Sequence, residues 1–97
     1  MKEYLSGTLT ANASSSEIEW NDAEGEVTVE GAFSAGTVKL EFKRIANWIA
    51  LGSNTNFTAD GVGNFRLGAG KLRLTMSGGG GGISVAFRID ELEDKHR

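Results

Sequence analysis

Val38, Leu40 and Phe42 alternate with Lys39, Glu41 and Lys43. A period of two is that of a strand with one buried and one wet face. Ahead of it, Glu26 to Glu30 alternates Val27 and Val29 with polar residues, and the small residues Ala32 to Gly36 stand between the two runs. This pattern predicts a β-hairpin. The chain then turns through Arg44 to Asn47 and brings in Trp48, a ring large enough to plug the centre of a small β core. The same alternation returns later: Leu72, Leu74 and Met76, then five glycines (Gly78, Gly79, Gly80, Gly81 and Gly82), then Ile83, Val85, Phe87 and Ile89. It predicts a second hairpin, its glycine run a flexible tip without side chains.

Weaker patterns fill the rest. Leu5 and Leu9 mark an edge strand within residues 3 to 12, Ile18 and Trp20 share one face of a short strand, and Phe65 and Leu67 share one face of another. Residues 52 to 63 read as a polar surface loop holding a short strand near Phe57, with Asp60-Gly61 as a turn signal. Seven to eight short strands with frequent turns define an all-β class: a small antiparallel β-sandwich or jelly-roll-like barrel. One domain is expected over residues 1–90, followed by the charged tail 91–97.

Composition agrees. Fourteen glycines and no proline suit short strands joined by tight turns and are poor material for helices. Cysteine is absent, so disulfides and thiolate metal sites are excluded. No apolar run approaches the roughly 18 residues of a membrane span, so a soluble protein made in the cytosol is expected. The net charge of −3 conceals an asymmetry. Residues 1–35 carry seven acids against Lys2, whereas residues 36–89 carry seven bases against Glu41 and Asp60. Such asymmetry bears on association more than on fold.

Catalytic chemistry finds little support in these residues. The single histidine, His96, lies in the tail, which argues against a serine or cysteine nucleophile with a histidine base. Asp22, Glu24 and Glu26 are better read as solvated carboxylates than as a calcium loop. No cofactor is expected. The glycine run is not followed by the lysine and hydroxyl residue of a phosphate loop. Lys39, Lys43, Lys71, Arg73 and Arg88 occupy outward positions and are expected to form one positive sheet face, an interaction surface together with the glycine run. Nucleic acid is not the expected partner, because interleaved outward aromatics are not evident. Trp20 and Trp48 are expected in the core, the sharper alternative being a sugar-stacking platform.

EVTVEGAFSAGTVKLEF, Trp48, the apolar step to Leu51, a polar loop and the late NFRLGAGKLRLTMSG together resemble small all-β structural proteins of tailed bacteriophages. The likeness rests on a valine-rich strand, the Gly31-Ala32-Phe33 turn, a Thr-Val-Lys-Leu strand, a tryptophan and a late arginine strand. It covers about half of the chain, at residues 26–51 and 65–89. The resemblance implies a non-enzymatic virion protein: a capsid decoration or cement protein bound to the major capsid protein at coat junctions, or a head-tail or tail component. The acidic first third and basic middle imply head-to-tail contacts between copies, with a trimer as the expected ring. The alternative from another class is a carbohydrate-binding module of a tail fibre or adhesin, using Trp20 or Trp48.

Overall fold

A computed structural model describes residues 2–92 of the chain. Its strands are β1 (Lys2–Leu9), β2 (Ile18–Trp20), β3 (Ala23–Ala32), β4 (Thr37–Lys43), β5 (Ile49–Ala50), β6 (Asn56–Phe57), β7 (Gly61–Leu67), β8 (Gly70–Ser77) and β9 (Ser84–Glu91). They form two antiparallel sheets. The first has the order β1-β9-β3-β7, and the second β2-β8-β4-β5 with β6 also on β4. β5 pairs at Glu41 and Phe42 and β6 at Val38 and Lys39, so the two act as one interrupted edge strand. From β1 to β4 and again from β7 to β9 the chain changes sheet at every step. That connectivity is a jelly roll, two interlocked Greek keys closed face to face.

Neither expected hairpin forms. β3 pairs with β7 and β9, and β4 with β8, so the Ala32–Gly36 segment is an arch between sheets. β8 and β9 likewise part company, which makes the glycine run a second arch. The reason is physical: strands with one apolar face satisfy it equally well by lying side by side or by facing each other across the core. Val27 and Val29 on the first sheet and Val38 and Leu40 on the second are accordingly all buried in the one core between the sheets.

The first arch closes through the Gly36 amide donating to the Phe33 carbonyl at 2.8 Å. Its central residues, Ser34 and Ala35, have φ of 53° and 68°, both left-handed as in a type I′ turn. An L-residue pays about 1–2 kcal/mol in that region. Ala35→Gly is accordingly expected to stabilise the fold by about 0.5–1 kcal/mol once glycine's greater chain entropy is included. An increase in the urea midpoint at unchanged slope checks this.

The core lies between the sheets, where Trp20, Leu40, Leu72, Leu74, Met76, Val85 and Ile89 are almost wholly buried. Trp20 is its largest member, meeting Tyr4 edge-on at 5.1 Å and Phe65 at 5.1 Å. Register slips between Glu3 and Leu5 on β1, so Tyr4 is the extra residue of a bulge. Tyr4 and Leu5 both pack against the core as a result. A hydrogen bond to Glu91, then burial and the Glu91 charge, raise the Tyr4 phenol above its ordinary value. The unfolded chain thus ionises first. Its stabilising contribution is complete below the ordinary phenol value and is lost as pH rises through the raised one. Tyr4→Phe should remove that alkaline loss, as read from urea midpoints across the pH range.

The expected boundary at residue 90 moves outward. Glu91 remains in β9 opposite Lys2 and Gly25, and the Leu92 amide donates to the Glu24 carbonyl at 2.9 Å. The remainder of the expected tail, 93–97, lies outside the described residues.

Candidate interaction surface

Outward positions of β4 and β8 meet in rows across the second sheet. Lys39 lies opposite Thr75, Glu41 opposite Arg73 and Lys43 opposite Lys71, with Glu19 of β2 beyond Lys71. The centre is a partly buried network. Glu41 Oε1 accepts from Arg73 Nε at 2.8 Å and from Thr75 Oγ1 at 2.8 Å, and Thr75 shares a hydroxyl contact with Ser14 at 2.9 Å. The Arg73 and Glu41 side chains are only 24 % and 18 % exposed, so the network orders side chains better than an exposed pair would.

Trp48 completes this face. The Arg73 guanidinium lies 4.3 Å from its ring centroid and the Lys43 ammonium 5.9 Å away. Trp48 is half-buried on the outer surface and does not plug the core; Trp20 holds that place. The local cause is register. β5 pairs Ile49 with Phe42, which carries Trp48 to the edge beside the outward Lys43. This supplies one outward aromatic among cations where none was expected. The basic residues before it, Lys43 and Arg44, are the signal that pointed there.

Beside this face the β4–β5 connection opens an apolar recess of about 470 Å³ between Phe42, Ile45, Ile49 and Leu67. Arg44 frames it, donating through Nε to the Ala69 carbonyl at 3.1 Å with its guanidinium 5.4 Å from the Phe42 ring. Ile45 is 91 % exposed and Ile49 66 %. Isoleucines this open contribute nothing to the core. With Val62 they are the large exposed hydrophobics among the described residues, and nothing in the alternation of the sequence separated them from core positions.

The remaining expected residues are dispersed. Lys39, Lys43, Lys71 and Arg73 do share the outer face of the second sheet, whereas Arg88 stands on β9 in the first sheet, bonded to Asp90 at 2.7 Å. A single five-cation face is therefore not formed, because β8 and β9 belong to opposite layers. Trp20 is fully buried and donates Nε1–H to the Ala23 carbonyl at 3.1 Å, which removes it as a sugar platform. Asp22 pairs with Arg66 at 3.3 Å, and among the described residues no three acidic or histidine side chains gather around a common point. Asp60 accepts the Gly31 amide at 2.8 Å.

The glycine arch is tied down at three glycines, the third being Gly81, whose carbonyl accepts from Ser34 Oγ. Asn12 donates Nδ2–H to the Gly79 carbonyl and accepts the Gly79 amide, both at 2.9 Å, and the Gly80 amide donates to the Ser34 carbonyl at 2.9 Å. Asn12→Ala should release it, costing about 1–2 kcal/mol for two hydrogen bonds. Faster hydrogen exchange at Gly79 and Gly80, with the core amides unaffected, is the expected record.

Comparison with known proteins finds no matching family model, no matching curated protein and no matching solved structure.

Proposed function

We propose that this protein is a non-enzymatic structural component of a tailed-phage virion, a decoration or cement protein that binds the major capsid protein where coat subunits meet. The observation that carries the reading is the open isoleucine pair, Ile45 and Ile49, set on a rigid sandwich beside the Trp48–Arg73 stack. Exposed aliphatic side chains rimmed by charge mark a protein-binding surface. The jelly roll supports the reading by analogy, since viral capsid domains use it, and the resemblance at residues 26–51 and 65–89 supplies the phage context. Several weak contacts to neighbouring coat subunits would add by avidity, strengthening a shell with no reaction to catalyse.

The test is composition of the particle. Mass spectrometry of density-purified virions from the phage encoding this chain should find it in many copies. Particles stripped of it should rebind the wild type and lose rebinding by at least tenfold with Ile45→Asp. Absence from purified particles refutes the proposal.

A second reading has one observation in its favour. Trp48 is a surface indole, and lectin domains also use this fold. Arg73 already covers that ring, so a sugar would have to displace it. A glycan array probed with wild type and Trp48→Ala separates the two: tryptophan-dependent signals favour the carbohydrate module, and their absence removes it.

A further inference from the structure

The two broad faces of the sandwich carry opposite charge. Outward strand positions of the second sheet hold Lys39, Lys43, Lys71 and Arg73 against Glu19 and Glu41, and neither Lys43 nor Lys71 has an ion-pair partner among the described residues. On the first sheet, outward Glu24, Glu26 and Glu30 stand beside Arg66, which pairs with Asp22, and Arg88, which pairs with the buried Asp90. Lys43 and Lys71 face each other directly across a strand pair, a like-charge contact that Glu19 opposite Lys71 offsets on one side and that an incoming anion would relieve at Lys43.

Each charged face also has exposed aliphatic side chains at its edge, on β5 and its connection in the second sheet and on β7 in the first. Ile45 follows Lys43 by two residues in the β4–β5 connection, and Ile49 lies opposite Phe42, so the two isoleucines stand at the sandwich edge that borders the basic face. On the acidic face Val62 is 58 % exposed, lies opposite Thr28, and has Glu26 and Glu30 as diagonal neighbours two residues to either side of that threonine. An aliphatic edge bordering cations is thus matched, on the same chain, by an aliphatic edge bordering anions.

We infer that the Ile45/Ile49 surface of one copy docks on the Val62 surface of a second copy of this chain, with Lys43 and Lys71 against Glu26 and Glu30. The two halves are different patches, so the contact is heterologous and each copy keeps one half open for the next, to close as a ring or continue as a row. A pair of such patches is small beside the roughly 1,600 Å² of a standard interface, so one contact is weak and copies assemble cooperatively or on a template. This rests on the proposed role and extends it: a copy seated on coat protein through Ile45 and Ile49 keeps its Val62 surface open, and the next copy docks there through its own isoleucines.

Charge exchange in the purified protein tests it. Sedimentation velocity from micromolar to millimolar protein should show self-association that weakens at least tenfold between low and high salt. Glu26→Lys/Glu30→Lys and Lys43→Glu/Lys71→Glu should each weaken it at least tenfold at low salt. An equimolar mixture of the two variants should recover association to within a few-fold of wild type, because each reversed patch then meets its complement. Val62→Asp and Ile45→Asp, with circular dichroism like wild type, should each abolish assembly. A wild type that stays monomeric throughout, association indifferent to either reversal, or a mixture that fails to recover would each overturn the inference. No coat protein is present in this experiment, so its failure leaves binding to particles standing, and absence from particles leaves self-association to be read on its own.

Discussion

Trp20→Ala lowers the free energy of unfolding by about 3–5 kcal/mol, the range for deleting a fully buried large aromatic. A domain of this size has about 5–15 kcal/mol in total, so the variant is expected to be partly unfolded at physiological temperature. The loss has two parts. The indole fills the space between Tyr4 and Phe65, and its removal leaves both rings facing a void. It also leaves the Ala23 carbonyl without its indole donor just where β3 begins. Gly25 is shaped to the same ring: a Cβ there would lie 2.8 Å from Trp20 Cη2 and collide with the Phe65 ring. Trp20→Phe keeps part of the volume and should recover about half of the loss. Urea denaturation followed by circular dichroism measures both variants, and Trp48 emission then reports the surface alone. A Trp20→Ala protein as stable as wild type would refute the assignment of this residue to the centre of the core.

Gly31→Ala is the second large effect, expected at about 3 kcal/mol or more. Gly31 has φ of 140°, and a Cβ on it would run into the Ser84 carbonyl oxygen, part of the β9 backbone. Backbone cannot swing aside as a flexible side chain can, so the β3–β9 ladder must open at Gly31 opposite Val85. Two further glycines calibrate the reading. Gly78 has φ of 73° with nothing near a built Cβ, and its alanine variant should cost only the left-handed strain of about 1–2 kcal/mol. Gly81 has open space and no positive φ, so Gly81→Ala should be neutral. Thermal melts of the three variants should therefore fall in that order. An equal response from all three would mean that glycine acts here only through chain entropy.

Which side of each strand is buried was legible in the residues. Val27 and Val29, Val38 and Leu40, Leu72 to Met76, and Val85 to Ile89 all point inward as their alternation requires, and the short strand at Phe57 and the one ending at Trp20 are both present. The four second-sheet cations were also legible, because residues between buried neighbours on a strand must face out. Partnership was not legible. The tripeptide Ile18-Glu19-Trp20 and the segment Asn47-Trp48-Ile49 look equally suited to a core, yet only the first ends opposite small Gly70 and above Gly25, where a bicyclic ring has room.

Composition and a repeat of two residues determined on their own that this chain forms strands with one apolar side, because backbone pleating sends successive side chains to opposite faces wherever the strand goes. Only the tertiary structure decided which strands became neighbours. Inter-strand hydrogen bonds are made by the backbone, which is nearly the same at every residue, so choosing between a hairpin and an arch falls to contacts distant in sequence: Trp20 over Gly25, Asn12 on Gly79, Ser34 on Gly80. Those contacts put Arg88 on one face and Arg73 on the other, and left Ile45, Ile49 and Val62 uncovered at the surface.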